Sequence, residues 1–238
     1  MLSVFPIIQQ IAHDVVDVVW PHTCLGCGQG QLSDSSQLIC AKCLMDITKV
    51  DYYKHEENLI TDVFFRESIK IEYGCCYLLF KKGDWTQSLM HNIKYYRHPE
   101  LGVQLGRMAA QELKKYGRFA NIDYILPVPM HPAKIKIRGF NQAERIAAGM
   151  SQILDIPIRE DILQKTTNSK TQTYMSRDER IKNAHKIFAA NRVGECTHSH
   201  FLIVDDVFTT GSTLLACAKK LLEAMPECKV SVFALAKA

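Results

Sequence analysis

Residues 201–213 read Phe-Leu-Ile-Val-Asp-Asp-Val-Phe-Thr-Thr-Gly-Ser-Thr, and no other stretch constrains this chain as tightly. The apolar run Phe201, Leu202, Ile203 and Val204 suits a buried strand of a parallel sheet. Asp205 and Asp206 follow it. Thr209, Thr210, Gly211, Ser212 and Thr213 then open a helix whose Leu215, Ala218, Leu222 and Met225 fall on one face. A strand, a short loop rich in glycine and hydroxyls, and a helix N-terminus make a phosphate cradle. Backbone N–H groups point at the anion, the helix dipole favours its charge, and hydroxyls add donors. Gly211 lets the backbone approach the ligand closely. An acidic pair directly before an anion site repels phosphate unless hydroxyl donors or a divalent cation lie between them. A ribose 5-phosphate with Mg²⁺ supplies both.

The rest of the chain is compatible with such a ligand. An apolar share of 47% and a charged share of 23% are those of an ordinary soluble globular protein, and a net charge of +4 admits anionic ligands without implying nucleic acid. No apolar run is long enough to span a membrane. The first twenty residues carry an apolar stripe of Phe5, Ile8, Ile11, Val15 and Val19 at helical spacing, interrupted by Asp14 and Asp17. That pattern predicts a helix packed on the neighbouring segment of the chain, with no secretory signal, and hence a cytoplasmic protein.

Two C-x₂-C pairs come next, Cys24/Cys27 and Cys40/Cys43. Four thiolates so paired can surround one Zn²⁺ tetrahedrally and leave no open coordination position, which predicts a structural site. Cys75, Cys76, Cys196, Cys217 and Cys228 have no ligand spacing and read as inert core thiols. The pattern divides the chain into a helix over 1–20, a zinc-binding element over 21–50, a weakly patterned bridge over 51–70 and an α/β domain over 71–238. Within that domain residues 72–80 and 122–128 read as strands, residues 85–97 as a helix running into a basic aromatic segment with Lys94, Tyr95, Tyr96 and Arg97, and residues 230–235 as a closing strand.

A second candidate site lies after the 122–128 strand. Pro127-Val128-Pro129 ends it, and a loop with Lys134, Lys136 and Arg138 but no acidic residue leads to Gly139-Phe140-Asn141-Gln142. Loops at the carboxyl ends of parallel strands lie on the ligand side of an open α/β sheet. Arg138 and the two lysines suit a polyanion.

The 201–213 stretch resembles the 5-phosphoribosyl-1-pyrophosphate (PRPP) motif of type I phosphoribosyltransferases. The resemblance implies that fold, a mainly parallel sheet flanked by helices, here preceded by the small four-cysteine element. It also implies that Thr209, Thr210, Gly211, Ser212 and Thr213 hold the 5′-phosphate, that Asp205 and Asp206 face the ribose hydroxyls and the Mg²⁺ shell, and that Lys134, Lys136 and Arg138 bind pyrophosphate. Asp205, Asp206 and Arg138 are then the residues implied to act in catalysis.

The Pro-Val-Pro strand end, the run Arg138-Gly-Phe-Asn-Gln142, the later Gln172, Arg180, Asn183 and Phe188, and the four cysteines together resemble the ComF/GntX family. That family is associated with natural competence and the use of incoming DNA, and is described as amidophosphoribosyltransferase-like. By the same resemblance the basic region 158–191 forms a hood over PRPP; the family often has Arg where this chain has Lys165. Met1 is followed by Leu2, so no N-terminal catalytic cysteine is expected to supply ammonia from glutamine. Three readings stay open. The first is transfer of phosphoribosyl from PRPP to an unidentified acceptor. The second is a non-catalytic protein binding PRPP and single-stranded DNA or RNA, with Tyr95, Tyr96 and Phe140 as stacking groups. The third is an adaptor for a DNA-uptake helicase.

Overall fold

The computed structural model describes residues 23–29, 32, 37–95, 98–117, 119–166, 187–191, 194 and 196–238. The expected helix over 1–20, Tyr96 and Arg97, and most of the basic region with Lys170, Gln172, Arg177, Arg180 and Asn183 lie outside the described residues.

Four parallel strands form the central sheet, in the order β1 (Gly74–Leu79), β6 (Lys229–Lys237), β5 (His200–Phe208), β2 (Tyr124–Pro127). The alternation of side chains along each strand sends them to two cores. Leu202 and Val204 of β5 join Phe233 and Leu235 of β6 on one face, and Phe201 and Ile203 join Val232 and Ala234 on the other. Burial on both faces is why these strands read as continuous apolar runs. The first face is covered by α3 (Trp85–Tyr95), α4 (Pro99–Lys114) and α6 (Gln142–Leu154). The second is covered by α2 (Leu59–Arg66), α7 (Ser212–Ala224) and a small antiparallel pair, β3 (Leu163–Lys165) with β4 (Phe188–Ala190). A short helix α1 (Ala41–Met45) carries Cys43.

The structure corrects the sequence reading at two places. Strand β5 does not stop at Val204. Its pairing with β6 continues through Asp205↔Ala234 and Val207↔Ala236 to Phe208↔Lys237, so the acidic pair lies within the strand. The stretch expected as a basic loop is instead a short helix, α5 (Pro132–Arg138). His131 caps it, its Nδ1 accepting from the Ala133 N–H at 3.2 Å, Pro132 holds the first position, and Gly139 ends it in the left-handed conformation at φ 90°. Proline at the start and glycine past the end are helix signals present in the sequence.

Residues 48–66 pack on the sheet. Lys49 makes an antiparallel bridge with Leu78 of β1. Asn58 and Thr61 form a reciprocal cap at the start of α2, and the Asn58 side-chain N–H also donates to the Gly74 carbonyl at 2.9 Å. The cap sets α2 so that Ile60 and Phe64 are fully buried.

Helices α4 and α6 cross at two glycines. A Cβ on Gly106 would overlap the backbone of Ile146, and one on Gly149 the backbone of Val103. This close approach holds the start of α6, where Asn141 and Gln142 stand, against the carboxyl end of β2. Gly→Ala in a helix normally gains about 1 kcal/mol from propensity. Here the obstacle is a backbone carbonyl that cannot swing aside, and overpacking costs about 3 kcal/mol. Gly106→Ala and Gly149→Ala are each expected to lose about 2 kcal/mol net in urea unfolding; a stabilised variant would contradict this packing.

Candidate functional site

The carboxyl ends of β2 and β5 border a cleft of about 310 Å³. Its lining brings together Asp205 and Asp206 from the end of β5, Thr209 from the turn after it, Thr213 from α7, Lys134 and Arg138 from α5, Asn141 and Gln142 from the start of α6, Lys165 from β3 and Lys94 from α3. Two elements far apart in sequence, expected on separate grounds, thus face one space.

The end of the cleft next to α7 is built by local backbone. Gly211 sits at φ 78°, and a Cβ there would also press on the Phe208 ring at 2.8 Å, so the turn needs glycine twice over. Among the described residues no side chain caps the first turn of α7, so its N–H groups are open to an anion. Thr209 and Thr213 border the cleft directly. Thr210 is exposed beyond it and its hydroxyl donates to the Ser212 hydroxyl at 3.2 Å.

Next to this cradle, the Asp205 carboxylate accepts from the Asp206 N–H at 2.9 Å, and Asp206 Oδ2 pairs with Lys94 Nζ at 3.1 Å. Burial, and then the neighbouring Asp206 charge, push the Asp205 carboxyl up to about 7. Lys165 is shifted the opposite way: burial, then the nearby Lys134, pull its ammonium below the usual range, with Asp205 opposing. Two carboxylates on one strand end are hard oxygen donors, the kind Mg²⁺ takes when it shares its coordination with phosphates.

Arg138 donates from Nη1 to Gln142 Oε1 at 3.1 Å and lies 5.3 Å from the centroid of the Tyr95 ring. Gly139 stops α5. Asn141 caps α6 through its side-chain oxygen on the Ala143 N–H, while its amide donates to the Val128 carbonyl at 3.0 Å and to Glu144 at 2.9 Å, tying helix to strand. Gln142 is buried, and its amide nitrogen has no partner among the described residues. The guanidinium is therefore fixed between an aromatic face and an amide.

The structure does not bring Lys136 into the cleft; it is exposed on α5, away from the lining. Phe140 also stays out of the lining. Conversely, Lys94 and Lys165 line the cleft although the sequence reading gives them no site role. A lysine near the end of an amphipathic helix and another on a short strand carry no local signal; only the fold assembles them.

The sulfur atoms of Cys24, Cys27, Cys40 and Cys43 all lie within 4.8 Å of one another. Four thiolates about 2.3 Å from one Zn²⁺ stand about 3.8 Å apart, and Cys27 Sγ is 4.0 Å from Cys40 Sγ. The backbone N–H groups of Gly26 and Cys40 donate to Cys24 Sγ at 3.3 and 3.2 Å, as suits a thiolate. The residues fit a metal ion. Burial first, then hydrogen bonding among the cysteines, push the Cys43 thiol up, so without a cation Cys43 keeps its proton. The element docks on α3: the Asn92 side chain donates to the Leu25 carbonyl at 2.7 Å, and Gly26 lies against Trp85. The remaining cysteines are buried, and burial raises the thiols of Cys75, Cys76, Cys217 and Cys228. No helix among the described residues is long and apolar enough to cross a membrane.

Metal analysis is expected to find about one Zn²⁺ per chain. Cys24→Ser is expected to open the element to proteolysis while the sheet domain keeps its cooperative unfolding. A fully folded, protease-resistant, metal-free protein would contradict this.

Comparison with known proteins agrees with this geometry. The profile of the family described as Phosphoribosyl transferase domain matches residues 92–238, more than half of the 238-residue chain. Competence protein F of Haemophilus influenzae is 32% identical over 132 residues, covering 55% of this chain and 57% of its own. DNA utilization protein YhgH of Escherichia coli K12 is 30% identical over 137 residues, 56% of this chain and 60% of its own. Competence protein ComFC of Streptococcus pneumoniae is 30% identical over 130 residues, 54% of this chain and 52% of its own. The matched portions thus span between half and two thirds of these relatives. With the acidic pair and the parallel sheet in place, the chain belongs to the phosphoribosyl transferase domain family.

Proposed function

We propose that this protein binds PRPP with Mg²⁺ in the cleft between β2 and β5 and transfers its phosphoribosyl group to an acceptor, in the service of DNA uptake or utilisation. The observation that carries the reading is the meeting, in one cleft, of a phosphate cradle, an acidic pair and a cationic wall. Family membership and the names of the curated relatives support it.

The ligand has two anionic ends and a neutral, hydroxylated middle, and the lining follows that order. The first-turn N–H groups of α7, with Thr209 and Thr213, take the 5′-phosphate. Asp205 and Asp206 accept from the ribose hydroxyls. Lys134 and Arg138 face the pyrophosphate, and Arg138, held by Gln142 and Tyr95, needs no reorganisation to meet charge developing on the leaving group. Lys136 has no part in this scheme. Mg²⁺ held with the ligand would neutralise phosphate charge and ease departure of pyrophosphate. Displacement at C1 passes through an oxocarbenium-like state, for which the protein mainly supplies orientation and electrostatics.

Calorimetry with PRPP, ribose 5-phosphate and inorganic phosphate, in Mg²⁺ buffer, tests the reading. Thr213→Val is expected to weaken all three, by roughly ten- to a hundredfold, as loss of a charge-assisted bond of about 1.5–3 kcal/mol implies. Asp205→Ala is expected to weaken PRPP and ribose 5-phosphate but leave phosphate as tight or tighter, because it removes both hydroxyl contacts and repulsion. Arg138→Ala is expected to weaken PRPP more than ribose 5-phosphate. Absence of any heat with PRPP and Mg²⁺ in the wild type would overturn the assignment.

A further inference from the structure

Lys94 reaches the acidic pair from outside the strand that carries it. It is the penultimate residue of α3, and its Nζ stands 3.1 Å from Asp206 Oδ2. Both side chains are mostly withdrawn from solvent, at 26% and 17% exposure, so this pair is not one of the freely solvated ion pairs that contribute little. One carboxylate of the pair is therefore already matched by a cation of the protein's own.

The surroundings reinforce the match. Lys94, Lys134, Arg138 and Lys165 line the same cleft as Asp205 and Asp206, so its lining is net cationic before any ligand enters. A free divalent cation meets that field and an ammonium on its carboxylate, and must also shed part of a tightly held hydration shell. A polyphosphate meets the reverse: attraction from the lysines, and oxygens that offer Lys94 a new partner.

We propose that Lys94 is a tethered counter-ion that keeps free divalent cations off Asp206, so that metal enters the cleft only in company with an anionic ligand such as a sugar polyphosphate. The inference rests on the phosphate-ligand reading above. On arrival, the ligand's phosphate oxygens take the Lys94 ammonium, and Asp206 is released to face the cation that the ligand carries. No covalent bond changes; the step is an exchange of partners. Lys94 is a positioning residue in this scheme, acting through Asp206.

The experiment titrates zinc-loaded protein with Mn²⁺, reading free Mn²⁺ by electron paramagnetic resonance, without and then with PRPP. Lys94→Met, of similar length and uncharged, is expected to bind Mn²⁺ at least about tenfold more tightly than wild type, the effect of one charge-assisted contact. Lys94→Arg is expected to restore wild-type exclusion, and Lys94→Met combined with Asp206→Asn to lose the gain. Adding PRPP is expected to bring wild type to within about threefold of Lys94→Met. Equal Mn²⁺ affinity of wild type and Lys94→Met without PRPP, or a gain that survives Asp206→Asn, overturns the proposal. Failure of PRPP to bind wild type would sink the phosphate reading, while the series without PRPP still judges Lys94.

Discussion

Two adjacent carboxylates at the end of a buried strand are the constraint to which the rest of this site answers. Asp205 and Asp206, side by side and partly buried, repel each other unless cations lie close by. Burial and mutual repulsion already push the Asp205 carboxyl up to about 7. The chain supplies the compensation from three separate elements: Lys94 from α3, Lys134 and Arg138 from α5, and Lys165 from β3. None of these cations is adjacent to the pair in sequence. The fold, at this end, gathers both signs of charge around one cleft of about 310 Å³, with Lys94 paired directly to Asp206.

That arrangement depends on packing some distance away. Strand β5 carries the acidic pair to the cleft because its ladder with β6 runs on to Phe208↔Lys237. Helix α6 presents Asn141 and Gln142 because two glycines let it lie backbone-to-backbone on α4. Helix α3 presents Lys94 and Tyr95, and the same helix bears the four-cysteine element through Asn92 and Trp85. The cysteine element thus leans on the helix whose far end touches the site. One docking arrangement places the cysteine element close to the cleft.

Much of this is legible in the sequence, for physical reasons that differ by element. The 201–213 stretch can be read because strand, carboxylates, glycine and hydroxyls each have a local meaning, and all agree. The cysteine pairs can be read because metal spacing is local too. Helix α5 reads as a loop because three like charges without an obvious apolar face outweigh Pro132 and Gly139. The continuation of β5 through Asp205 and Asp206 escapes a local reading because acidic residues disfavour strands in isolation, while pairing with β6 is a tertiary matter. Lys94 and Lys165 escape it for the same reason: their meaning lies in what faces them. Lys136 enters on charge alone, and helix geometry turns it outward.

The central claim is that one cleft reads both ends of a phosphoribosyl pyrophosphate. A crystal structure of the zinc-loaded protein with PRPP and Mg²⁺ tests it most directly. The account predicts the 5′-phosphate on the first-turn N–H groups of α7, the ribose hydroxyls toward Asp205 and Asp206, and the pyrophosphate against Lys134 and Arg138. A pyrophosphate lodged at α7 with the ribose turned away from the acidic pair, or PRPP bound outside the cleft, would contradict it.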